Sequence, residues 1–159
     1  MKTIITALLL SLASCVGSPP LDTPSGFPEV TTTLEREVLV ENTINGLAQR
    51  GFYVTTESLH RLVMEKVCND GTINMFMGSR MNPTVNFRAQ VTFRTVSDHE
   101  QADGRIWVVT NPGSAFESLT DTSTDKAGHD LLAILVAAGY DPNFATPIPL
   151  AAGEAGPVQ

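Results

Sequence analysis

The chain has 159 residues, enough for one domain with a leader and tails. Its 42% apolar and 17% charged residues exclude an intrinsically disordered chain and fit a domain with a real core. Ten basic side chains stand against seventeen acidic ones, and no basic run offsets the imbalance. Such a surface repels phosphate backbones, so nucleic-acid binding is not expected.

Met1-Lys2 forms a short positive start, and Ile4 to Ala13 is an apolar stretch broken only by Thr6 and Ser11. About ten residues are too few to cross a hydrocarbon layer about 30 Å thick, so the pattern reads as a signal peptide over residues 1–14. The stretch ends in Leu12-Ala13-Ser14-Cys15. These four residues resemble the lipobox of bacterial lipoproteins, a Leu and two small residues before a Cys. The resemblance covers the first fifteen residues and implies cleavage between Ser14 and Cys15, a diacylglycerol on the Cys15 thiol and acylation of the new amine. More than one acyl chain makes membrane attachment stable, each buried methylene contributing about 0.8 kcal/mol. Val16 stands where many enterobacterial lipoproteins retained in the inner membrane carry Asp. The resemblance therefore implies a lipid-anchored envelope protein, on the outer membrane facing the periplasm rather than on the inner membrane.

Residues 15–31 carry prolines at 19, 20, 24 and 28 and read as a tether, extended at about 3.1 Å per residue. A domain is expected over 32–144. Thr32 and Glu35 have capping-box spacing for a first helix, whose apolar stripe is Val40, Ile44, Leu47 and Ala48. "GLAQRGF" and "LVAAGY" both read as helix ends, with Gly51 and Gly139 left-handed and Phe52 and Tyr140 folding back on Leu47 and Leu135. "FYVTT" reads as a short strand. "HRLVMEKV" reads as another, pairing across Asn69-Asp70-Gly71 with a strand in "GTINMFMG" (71–78).

"TVNFRAQVTFRT" alternates, with Val85, Phe87, Ala89, Val91 and Phe93 on one face and Asn86, Arg88, Gln90, Thr92 and Arg94 on the other. "VSDHEQADG" reads as a polar turn region and "RIWVVTN" as the returning strand of an antiparallel hairpin. The last helix presents Ala127, Leu131, Ile134, Leu135 and Ala138, broadened by Leu132 and Val136, and is apolar enough to lie across a sheet. Residues 145–159 read as a loose tail. The fold class expected is α+β: a two-layer sandwich of three or four mainly antiparallel strands with two helices on one face.

Catalytic and metal-binding patterns are lacking. His60, His99 and His129 have no second ligand at helical or turn spacing, and there is no nucleophile elbow, phosphate loop or dinucleotide fingerprint. "DTSTD" (121–125) lacks the Gly and Glu of a calcium loop and reads as a lead-in with Asp125 at the start of the last helix. "SAFE" (114–117) reads as a capping box after Pro112-Gly113. Cys68 reads as a structural, half-buried cysteine beside a turn. No cofactor, metal or catalytic residue is expected.

One surface has the composition of a binding face. Arg88 and Arg94 lie on the polar side of one strand, and Arg105 and Trp107 on its neighbour. With Ile106 and Val108 turned to the core, Trp107 joins the arginines outside, as at interface hot spots; the alternative is an inward Trp107 with solvated arginines. The expected function is that of a non-enzymatic accessory or assembly subunit, held to a membrane by lipid and docking on an envelope protein in transport, secretion or cell-wall synthesis. Two other readings are a periplasmic small-ligand or glycan binder and an envelope hydrolase whose site carries no motif.

Overall fold

The computed structural model of the protein describes residues 19–68 and 84–141. Ser14 and Cys15, the strand expected over 71–78 and the tail over 145–159 lie outside the described residues. In chain order the elements are β1 (Glu29–Thr32), α1 (Arg36–Ala48), β2 (Tyr53–Glu57), β3 (Arg61–Val67), β4 (Val85–Val96), β5 (His99–Thr110), β6 (Ser118–Asp121) and α2 (Lys126–Ala138). The class is α+β. Among the described residues the sheet is antiparallel and has six strands rather than three or four, in the order β1-β5-β4-β3-β2, with β6 also on β5.

β5 explains the additional strands. One of its edges pairs with β4 along its whole length, while the other takes β1 on residues 100–103 and β6 on residues 107–110. Both extra strands have four residues, too short to show a period of two in the sequence. β1 falls in the segment expected as tether. Pro28 stands just before it, where a missing N–H costs no ladder bond, and its carbonyl accepts from Gly104 N at 2.7 Å. Leu21 and Pro28 are buried, so the packed fold begins well before Thr32.

The β4–β5 hairpin is longer than the polar composition of 96–104 implied. Val96 pairs with His99 across a two-residue turn, with Ser97 and Asp98 at φ 48° and 68°. Two positive φ values give the turn the right-handed twist of the flanking strands. Residues 99–104 are therefore strand, because pairing with β4 and β1 outweighs the weak strand preference of Asp and Gly. β3 is a strand as expected, but Leu62 to Glu65 pair with β2 on one side and β4 on the other.

Alternation puts Leu62, Met64, Ala89, Val91, Phe93, Ala102 and Ile106 in one core with Leu39, Val40 and Leu47 of α1 and Leu131, Ile134, Leu135 and Ala138 of α2. Where α2 crosses β5, a Cβ on Gly104 would stand 2.9 Å from Leu131 Cδ2, so the absence of a side chain sets the helix-to-sheet distance.

The helix ends divide. After α1, Gly51 has φ +85°, its N–H reaches Ala48 O, and Phe52 N reaches Leu47 O, which is the Schellman pattern with Phe52 packed on the core. After α2, Gly139 has φ −85°, and Tyr140 is exposed instead of folding back. There glycine serves close packing: a Cβ would meet Val30 Cγ2 at 3.3 Å, and Gly139 O accepts from Thr32 Oγ1 at 2.7 Å. The Thr32 hydroxyl also accepts from Leu34 N at 3.2 Å, but the helix starts only at Arg36, so the expected capping box is absent and Glu35 occupies the N-cap without a side-chain bond.

Candidate functional site

The face of β4 and β5 turned away from the helices is built by register. Arg88 stands opposite Trp107, Gln90 opposite Arg105, and Arg94 opposite Gln101. Arg88, Arg94, Arg105 and Trp107 thus share one face, and Trp107 is half-buried rather than part of the core cluster.

Each arginine is engaged within the fold. Arg88 donates from Nε to Glu65 Oε1 at 2.6 Å, from Nη1 to Glu117 Oε1 at 2.7 Å, and from Nη2 to Glu117 Oε2 at 3.2 Å. Glu65 sits across from Arg88 in the β3–β4 register. Glu117 arrives from the loop between β5 and β6, and its Oε2 also accepts from Gly113 N at 2.9 Å. The Glu117 bonds, joined by those of Glu65 and opposed by burial, raise the Arg88 pKa. Arg88 and the Gly113 N–H hold the Glu117 carboxyl below its ordinary value. Asn86 Nδ2 donates to Glu65 Oε2 at 3.1 Å, while its buried Oδ1 has no hydrogen-bond partner among the described residues.

Arg94 and Arg105 are looser, with side chains 57% and 41% exposed. Arg94 Nε lies 3.0 Å from Asp103 Oδ2, and Gln101 Nε2 donates to Asp103 Oδ1 at 2.9 Å. Burial raises the Asp103 pKa despite these partners. The Arg105 guanidinium stacks 3.2 Å from the Phe27 ring centre and lies 3.7 Å from Asp121 Oδ2. Cation–π stacking and a long ion pair leave donors of both arginines open to a partner.

The sequence reading missed Glu65, Glu117, Asp121 and Phe27. The spacing of Ser114 and Glu117 predicts a helix cap, yet Glu117 is followed by β6 and not by a helix. Ser114 Oγ instead donates to Asn111 O and accepts from Phe116 N, closing a turn that aims Glu117 across the sheet. Its neighbour Phe116 is 83% exposed, and Leu119 on β6 is 49% exposed. The nearest sequence signal was an acidic residue among turn formers, which does not say where a loop points.

The remaining candidates lie apart. His60 Nδ1 is 2.8 Å from Arg36 Nη1, which makes that nitrogen the acceptor. His99 is exposed at the start of β5, and His129 Nε2 lies 2.8 Å from Pro19 O. Cys68 is buried against Val85 and Val108 rather than half-buried. Asp125 occupies the N-cap of α2 without a side-chain bond, and Asp121 Oδ1 accepts from Ser123 N. Among the described residues no group of three or more His, Cys, Asp or Glu could hold a metal ion. No helix among them is long and apolar enough to cross a membrane. The face can hydrogen-bond, stack and bury apolar surface. No protein-family model matches the chain, and no curated protein matches it.

Proposed function

We propose that the protein is a lipid-anchored component of the bacterial cell envelope whose domain docks, without catalysis, on a partner protein of a membrane or periplasmic complex. The lipobox at Leu12–Cys15 supports the anchor. The observation that carries the docking part is the exposed Phe116 beside a fixed frame, since Glu117 next to it is tied to Arg88 by two hydrogen bonds. The loop that carries Phe116 is held by its backbone bonds to Ser114 and Asn111 as well as by Glu117, so an exposed aromatic on it needs little further ordering on binding, as at interface hot spots. Trp107, Leu119, Arg94 and Arg105 extend the same surface. Attachment at Cys15 would keep this surface near its partner, in the envelope and with preference for the outer membrane.

The test is affinity purification of the C-terminally tagged full chain from mildly crosslinked membranes, beside Cys15→Ser, Phe116→Ala and Arg94→Glu. The reading expects one stoichiometric envelope protein with the wild type and its loss in all three variants, each at normal abundance. A protein that comes out alone sinks the docking reading and favours binding of a small ligand or glycan.

A further inference from the structure

On the helix side of the sheet, between the last turn of α1 and the first turns of α2, lies a cleft of about 170 Å³. Its floor is Leu47, Phe52, Phe87, Ile106, Leu131 and Ile134, and its rim carries Arg50, Lys66 and Asp130. We propose that this cleft binds a small amphipathic carboxylate, a monoanion with a ring-sized apolar body.

Size and floor define the body. An apolar cavity of about 150 Å³ accepts benzene, so this cleft takes one ring or a short acyl chain and leaves a long chain in water. Leu47, Ile106, Leu131 and Ile134 are buried core residues, and Phe52 and Phe87 pack beside them, so the floor is held in place by the fold itself.

Charge defines the head. Lys126 holds Asp130 at 2.7 Å, whereas among the described residues neither Arg50 nor Lys66 makes an ion pair or a side-chain hydrogen bond. The other described cations are engaged: Arg36, Arg88, Arg94, Arg105 and Lys126 with carboxylates, and Arg61 with Gln90. Helix capping does not occupy the two rim cations either, because the Schellman bonds already satisfy the Leu47 and Ala48 carbonyls. Lys66 Nζ lies 5.9 Å from the Phe52 ring centre, a cation–π contact that holds the ammonium above the floor without using its N–H donors. On an acidic chain, two cations with no carboxylate partner among the described residues, at the mouth of an apolar cleft, complement one negative charge on an apolar body. Asp130 on the same rim opposes a dianion such as a phosphate monoester. This site lies on the opposite side of the sheet from the docking face and does not depend on it.

Titration of the full-length protein with benzoate and with hexanoate, followed by backbone amide NMR shifts, tests the proposal. Both acids should shift the amides of Phe52, Lys66 and Ala127 saturably. Benzyl alcohol and hexanol should bind about tenfold more weakly, the loss expected for one charge-assisted hydrogen bond. Arg50→Gln and Lys66→Gln should each weaken benzoate several-fold; Arg50 is exposed, so that variant keeps the test valid if Lys66→Gln perturbs folding. Alcohols binding as tightly as the acids, shifts confined to other residues, no saturable shift, or phenyl phosphate binding more tightly than benzoate would each overturn it.

Discussion

Between Glu65 and Glu117, the Arg88 guanidinium uses Nε for one carboxylate and both Nη atoms for the other. Its side chain is 23% exposed and that of Glu117 25%, so the pair is neither dry nor fully screened. The bidentate geometry places the contribution near the top of the surface range, about 1 kcal/mol. Glu117→Gln should lower Tm by about 3–4 °C at neutral pH in thermal unfolding. Because the folded Glu117 pKa lies below its ordinary 4.5, this stabilisation is present above that pH and is lost as pH falls through the folded value. Wild type and Glu117→Gln should therefore begin to converge in stability as pH drops below 4.5 and meet only beneath the folded value, and parallel curves would contradict the assignment. Glu100 adds to the same acid limb. Burial opposes its charge, but hydrogen bonds from Arg36 and Thr95 hold its pKa below the ordinary value. Asp103 has the opposite sign: its pKa is raised by burial, so its contribution is present at low pH and lost as pH rises through the folded value. Asp103→Asn should leave Tm at pH 7 at or above the wild type, a contrast that the same melting series reads.

Two connections set how the elements sit. Ser123 Oγ accepts from Ile106 N at 2.9 Å, and Thr122 N donates to Ile106 O at 3.0 Å, pinning the lead-in of α2 to β5. The helix then passes so close to this lead-in that a Cβ on Gly128 would overlap the Ser123 carbonyl oxygen. Gly→Ala inside a helix ordinarily gains about 0.8–1 kcal/mol. Here the obstacle is backbone that cannot rotate away, and overpacking costs about 1–3 kcal/mol or more. Sterics should win, so Gly128→Ala should lower the urea midpoint; a raised midpoint would mean that the lead-in yields. The Ser97-Asp98 turn offers the reverse. Both residues hold positive φ without glycine, and Ser97→Asn with Asp98→Gly should stabilise by about 0.5–1 kcal/mol, measured in the same urea series.

For the molecule as a whole, the sheet separates two surfaces. One carries Trp107 and the arginines; the other carries the helices and the cleft between them. Trp107 is the chain's single tryptophan, so its emission reports on one face. Partner docking should shift Trp107 fluorescence, whereas benzoate should leave it unchanged; a benzoate-dependent shift would place that ligand on the wrong side. The anchor has its own check. The intact mass of detergent-extracted protein should carry the acyl groups on Cys15, and an unmodified amino terminus would remove the basis for a tethered function.

What the sequence by itself determined is what depends on near neighbours. The alternation of 85–95 put Arg88 and Arg94 outside, the apolar spacing marked the buried face of α2, and the Gly51-Phe52 pair stopped α1, because each follows from local geometry. On α1 the stripe caught Val40 and Leu47 but not buried Leu39 and Thr43, and Ala48 is exposed. Trp107 stayed open in the sequence between the outer face and the core, and the β4–β5 register put it opposite Arg88. Tertiary structure alone decided that β1 and β6 exist, that 99–104 is strand and that Gly139 is a packing contact rather than a left-handed stop. It also decided that Glu65 and Glu117 converge on Arg88, and that Arg50 and Lys66 meet over one cleft. These features depend on pairing partners and register, which bring together residues far apart in sequence, and no local period encodes which strand or loop arrives.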